Sequence, residues 1–96
     1  MITAPEHLGL ESRNDFRKEA VSILEQLPEG DGRLVIDLGS TRGVDSAGLG
    51  ALMLIQRRAA ERRQAVILRN ASDELRYLLA LTKLDDLFMI EGVGAG

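Results

Sequence analysis

The chain has 96 residues, 45% of them apolar, a formal charge of −3 and no cysteine. That length suits one small domain near the lower limit for an unstapled core, and the lack of cysteine excludes disulfides and thiolate metal sites. Phe16, Tyr77 and Phe88 are the only aromatics, so neither a base-stacking platform nor a basic nucleic-acid surface is expected, and core packing must rest on Leu, Ile, Val and Ala.

Met1 to Leu8 has room for one short strand at most, and Pro5 restricts it to an edge or a strand end. Gly9 marks a turn. Ser12-Arg13-Asn14-Asp15 resembles a capping box with Asp in place of Glu, and Phe16, Ala20, Ile23, Leu24 and Leu27 follow at helical spacing. The pattern predicts an amphipathic helix over 13–27, closed by Pro28 and Gly30. The run from Arg33 to Leu38 is short and rich in Leu, Val and Ile, which predicts a buried strand. Asp37 is its anomaly, a carboxylate at the strand end that needs loop N–H groups or an arginine as partner. Gly39-Ser40-Thr41-Arg42-Gly43 lacks the Lys-Ser/Thr ending of a P-loop, so no nucleotide cofactor is implied.

A second helix is predicted over 47–62, introduced by Val44-Asp45-Ser46-Ala47-Gly48-Leu49-Gly50. Asp45 or Ser46 is expected to cap it. Ser46 has two readings: a capping hydroxyl, or a hydroxyl presented at the positive end of the helix beside small Ala47 and Gly48, where a phosphate would be stabilised. Leu49, Leu52, Met53 and Gln56 fall on one stripe and Ala51, Leu54, Ile55 and Arg58 on the other, so the first turns are apolar nearly all round. One stripe is expected to pack on a sheet and part of the second to lie exposed beside Ser46 as a docking patch. The basic end, Arg57 to Arg63, complements the helix dipole.

Ala65 to Arg69 predicts another strand, and Asn70-Ala71-Ser72-Asp73-Glu74 opens a helix over 73–82 with Leu75, Leu78, Leu79 and Thr82 facing inward. A last turn or strand is expected from Leu87 to Glu91, and residues 92–96 as a frayed tail. Strands alternating with helices argue an α/β sheet. A serine hydrolase is not supported: His7 is the only histidine, and Gly43 lies three residues before Ser46, which breaks the nucleophile-elbow pattern. Asp85-Asp86 lacks the further ligands of a calcium loop, so neither an enzyme nor a metal site is expected. No apolar run approaches the ~20 residues of a membrane span, and Met1 to Glu6 lacks the marks of a signal peptide. A cytoplasmic protein without membrane insertion is expected.

The stretch from Val44 to Gly50 closely resembles the Asp-Ser-Ser/Thr-Gly-Leu-Gly signature of STAS domains, in particular the bacterial anti-sigma factor antagonists. Leu34 to Leu38 resembles the family's central strand and Leu81 to Ile90 its closing segment, so the likeness covers roughly 11–91. It implies a STAS-like mixed β-sheet with helices packed mainly on one face and a shortened N-terminal strand region. It also implies that Ser46 is the phosphoacceptor of a partner kinase. Asp45, Ala47, Gly48, Leu49, Ala51, Leu54, Ile55 and Arg58 would then bind the partner. That partner would be an anti-sigma factor/serine kinase using ATP, with a phosphatase resetting the switch in bacterial transcription regulation; a homo-oligomer is not predicted. The alternatives are a constitutive STAS subunit of a phospholipid ABC transporter-like assembly, and a scaffold pairing through a sheet edge. In the family, Gly often stands at the position of Lys83, which implies a left-handed residue there and a strain of the order of 1 kcal/mol. The family's opening Gly-Glu-Leu-Asp turn aligns with Glu6-His7-Leu8-Gly9, leaving Asp37, Asp45, Glu6 and Glu11 as candidates for its supporting acid.

Overall fold

The computed structural model describes residues 1–91; the expected tail, 92–96, lies outside the described residues. The elements run β1 (Ile2–Thr3), β2 (His7–Leu8), α1 (Arg13–Gln26), β3 (Arg33–Asp37), β4 (Gly43–Val44), α2 (Ser46–Glu61), β5 (Ala65–Arg69), α3 (Asp73–Leu81), a 3-10 turn (Asp85–Leu87) and β6 (Met89–Glu91).

The main sheet has the order β1-β3-β5-β6, which is also the order of the chain. Each crossover therefore steps the same way, and right-handed connections place α1, α2 and α3 on one face. Inward residues of the strands, Ile2, Leu34, Ile36, Val66 and Leu68, meet Phe16, Ala20 and Leu24 of α1, Leu52, Ile55 and Ala59 of α2, and Leu75 and Leu79 of α3 in one core. Register pairs Leu34 with Val66 and Ile36 with Leu68, so the apolar rows of β3 and β5 stand side by side. The α/β architecture with helices on one face is as expected.

Several details differ from the expectation. Every pairing among the described residues is parallel, where a mixed sheet was expected. The start of the chain makes two strands instead of one: β1 joins β3, and after the corner at Pro5, β2 pairs with β4 in a small second sheet. The two strands do not pair with each other; each takes a different partner. The corner is held by Thr41, whose hydroxyl donates to the Pro5 carbonyl at 2.8 Å.

Ser12 is another. It stands at the cap position of α1, but its backbone is already helical (φ −101°, ψ −12°) and its side chain makes no capping bond. The hydroxyl instead accepts from Gly9 N–H at 3.1 Å and donates to the His7 carbonyl at 2.7 Å, fastening the turn between β2 and α1.

The other caps follow the sequence. The hydroxyl of Ser72 accepts from Leu75 N–H at 3.1 Å. Lys83 takes φ +59°, and Leu84 N–H donates to the Leu79 carbonyl at 2.8 Å, the closure that a left-handed residue makes after a helix. Thr82, expected to face inward, is exposed and donates its hydroxyl back to the Leu78 carbonyl. At the other end of the molecule, buried Gln64 donates its Nε2 to the carbonyls of Leu24 (2.8 Å), Leu27 (3.1 Å) and Pro28 (3.3 Å). It thereby caps α1 from a segment forty residues downstream of Leu24.

Candidate functional site

Asp45 and Ser46 share the start of α2 but divide the work there. Asp45 is the cap, with extended backbone (φ −95°, ψ −175°) and Oδ1 accepting from Gly48 N–H at 2.9 Å. Its Oδ2 accepts from Leu10 N–H at 3.2 Å, and His7 Nε2 lies 3.9 Å from the same oxygen. One carboxylate thus ties the helix start to the turn after β2. The Gly48 bond is the main cause that holds its pKa below the usual value, opposed by partial desolvation and aided by Leu10, Ala47 and His7.

Because Asp45 serves the helix, Ser46 does not. It is exposed, and among the described residues its hydroxyl has no hydrogen-bond partner. The capping reading of Ser46 is set aside on this geometry.

Small residues hold this turn in place. A Cβ on Gly48 would overlap the Leu8 carbonyl, so the first turn of α2 can lie against β2 only with glycine there. Likewise a Cβ on Gly9 would overlap the Asp45 carboxylate. Asp45 N–H completes the junction by donating to the Leu8 carbonyl at 3.2 Å.

The close seat of Gly48 fixes the rotation of α2, and it is not the rotation expected. The buried face is Gly48, Ala51, Leu52, Ile55 and Ala59, drawn from both sequence stripes. Ile55, expected in the docking patch, is fully buried in the core, and Ala51 is 5% exposed. Met53, expected to pack on the sheet, is exposed, and Leu49 is half-buried. Of the expected patch, Leu54 is half-buried, Arg58 is exposed and Ala47 is partly accessible.

Ser46, Ala47 and Leu54 line a cleft of about 390 Å³ between α1 and α2, with Arg13, Asn14 and Arg17 on the α1 side. A second hollow continues it along the helices past Arg17, Val21, Leu54 and Arg58. Arg13 and Arg17 were not singled out from the sequence. Their spacing of four residues places them on one helix face, but nothing in the chain alone says that this face meets Ser46.

Asp37 sits away from this cleft. Its Oδ1 accepts from Gly39 N–H at 2.8 Å and from Asn70 Nδ2 at 3.3 Å, so it orders the loop after β3. Among the acids weighed as support for Ser46, Asp45 is the one adjoining it. Among the described residues no cluster of three potential metal ligands occurs, and no helix is long and apolar enough to cross a membrane.

The family model described as "Mlab, STAS domain" matches residues 1–91. A STAS-domain containing protein of Pseudomonas aeruginosa (strain UCBPP-PA14) is 36% identical over 81 residues, covering 82% of this chain and 74% of that protein. The fold matches a crystal structure from Thermotoga maritima, of a protein provisionally named an anti-sigma factor antagonist, with a TM-score of 0.77. That match covers 93% of this chain and 75% of the other at 22% identity, a likeness of fold. The signature around Ser46, the fold that presents it and the family match over residues 1–91 agree: the chain belongs to the STAS domain family.

Proposed function

We propose that this protein is a phosphorylation-switched binding module of the anti-sigma factor antagonist kind, which captures an anti-sigma factor/serine kinase while Ser46 is unmodified. The observation that carries this reading is the division of labour at α2. Asp45 takes the cap, which leaves the Ser46 hydroxyl exposed and uncommitted at the mouth of a cleft. In the transfer, Ser46 Oγ bonds to the γ-phosphorus of kinase-bound ATP and the bond from that phosphorus to the ADP oxygen breaks. The hydroxyl proton passes to a base on the kinase. Asp45 is unsuited to that task, since both its oxygens accept backbone N–H bonds and its proton affinity is lowered. The added charge of about −1.5 to −2 then opposes burial of the surrounding apolar surface in an interface. A phosphatase restores the capturing form, and the protein itself acts by binding, with no cofactor.

Incubation with the candidate kinase and ATP, followed by peptide mass mapping, tests the assignment. Phosphate is expected on Ser46; label on Ser40, Thr41 or Ser72 with none on Ser46 would overturn it.

A second reading, a constitutive subunit of a phospholipid ABC transporter-like assembly, draws support from the Mlab description of the matched family. It uses the same helix surface without a phosphate cycle. Under it, Ser46→Asp leaves complex formation unchanged.

A further inference from the structure

The cleft beside Ser46 is unusual in its charges. The charged groups lining it are Arg13 and Arg17, both from α1, with Asn14 between them and Ser46 and Ala47 opposite. No carboxylate lines it, and among the described residues neither arginine has an acidic partner within ion-pair distance. The nearest acid in sequence to Ser46 is Asp45, already engaged with the backbone of Gly48 and Leu10 and flanked by His7. Two arginines one helical turn apart thus share with Ser46 the lining of a cleft of about 390 Å³, and among the described residues no carboxylate pairs with either.

We propose that Arg13 and Arg17 form a receptor, within the chain itself, for the phosphoryl group on Ser46. This rests on the reading of Ser46 as the phosphoacceptor. A phosphomonoester dianion suits paired guanidinium groups, which offer forked N–H donors that a lysine lacks. The charge on α2 would be answered by charge on α1, so the phosphoryl bridges the two helices and fills the cleft end of the groove. Modification then does two things at once: it removes the basic, open cleft that a partner would enter, and it fastens α1 to α2. The switch is a covered site as well as a repelling charge.

The test installs phosphoserine at position 46 during synthesis, by amber suppression, so that no kinase is needed. Phosphorus NMR follows the titration of the phosphoryl in the full chain, against Arg13→Gln, Arg17→Gln and the double variant. Glutamine keeps the helix propensity of these exposed or half-exposed positions. The charged groups about the phosphoryl are Arg13 and Arg17 from α1, Asp45 at the head of α2 and His7 from β2.

With the arginines present, the phosphoryl is expected to titrate at least about half a pH unit below its value in the double variant, each single variant falling between. The difference should shrink in about 1 M salt, because Arg13 is exposed and Arg17 half-exposed. A phosphoryl that titrates alike with and without the arginines overturns the receptor, whatever any kinase does. A shift with no kinase labelling Ser46 leaves the receptor standing and sinks the switch. Should the double variant fail to fold by circular dichroism, the single variants decide: a phosphoryl that titrates higher in Arg13→Gln or Arg17→Gln supports the receptor, and one unchanged in both refutes it.

Discussion

Gly48 and Leu8 approach so closely that a Cβ on Gly48 would share space with the Leu8 carbonyl oxygen. The contact joins α2 to β2 by backbone alone, and it sets the rotation of α2 and hence the direction in which Ser46 and Leu54 point. Gly48→Ala should therefore destabilise the fold by about 1 to 3 kcal/mol through overpacking, although alanine favours helices elsewhere. Gly50, exposed with no atom near its would-be Cβ, supplies the control: Gly50→Ala should be neutral or stabilising. Urea unfolding of both variants measures the difference.

The Asp45 carboxylate makes stability depend on acid. Its pKa in the fold is lowered, chiefly by the Gly48 N–H bond. A lowered value means that its contribution is complete above the ordinary carboxylate range and is lost as pH falls through the folded value. Asp45→Asn keeps a capping oxygen without the charge. The wild type should exceed this variant in urea midpoint at neutral pH, and the gap should narrow at pH about 3.

Ser46 is not the cap, so Ser46→Ala should change stability by less than about 0.5 kcal/mol, as for a surface substitution. On the proposed function, it should preserve partner capture and abolish the switch, while Ser46→Asp weakens capture. Thermal melts and calorimetric titration with the partner kinase check the two parts separately.

Leu54 and Ile55 are neighbours with opposite fates. Ile55 is fully buried and Leu54 is half-buried at the cleft. Ile55→Asp should prevent folding by leaving an unpaired charge in the core. Leu54→Asp should fold and, if the groove is the docking surface, lower partner affinity at least about tenfold, since a buried leucine contributes roughly 1.5 to 3 kcal/mol. Leu54→Asp that binds normally would move the docking surface elsewhere.

Gln64 offers a test away from the site. Its side chain satisfies three carbonyls at the end of α1. Gln64→Ala strips the Leu27 carbonyl of its donor and leaves the Leu24 and Pro28 carbonyls with only their backbone partners, Leu27 and Gly32 N–H, and should cost about 1 to 3 kcal/mol in urea unfolding.

Much of this fold was legible because the apolar runs Arg33 to Leu38 and Ala65 to Arg69 are too short for helices and their caps are conventional, as at Ser72. Lys83 was read through the family's glycine, and its φ of +59° agrees. Local signals failed where a distant segment decides the outcome. Ser12 has the residue type of a cap but spends its hydroxyl on His7 and Gly9, because the chain there is already helical. The inward face of α2 could not be chosen from a helix apolar on all sides; the choice was made by the Leu8 carbonyl against Gly48. Arg13 and Arg17 carried no motif, and only the packing of α1 on α2 brings them opposite Ser46.

The strands lie across the main sheet in the order in which the chain is synthesised. Each new strand therefore adds to an edge that already exists, and no strand waits for a later one to be inserted beside it. Parallel pairing is slow when distant segments must search for each other, and a growing edge shortens that search to one crossover at a time. The elements around Ser46, from β2 to α2, are all contained in the first 61 residues, and β5 follows directly. The surface that presents Ser46 is thus built from consecutive elements, with α3 and β6 adding to the far edge.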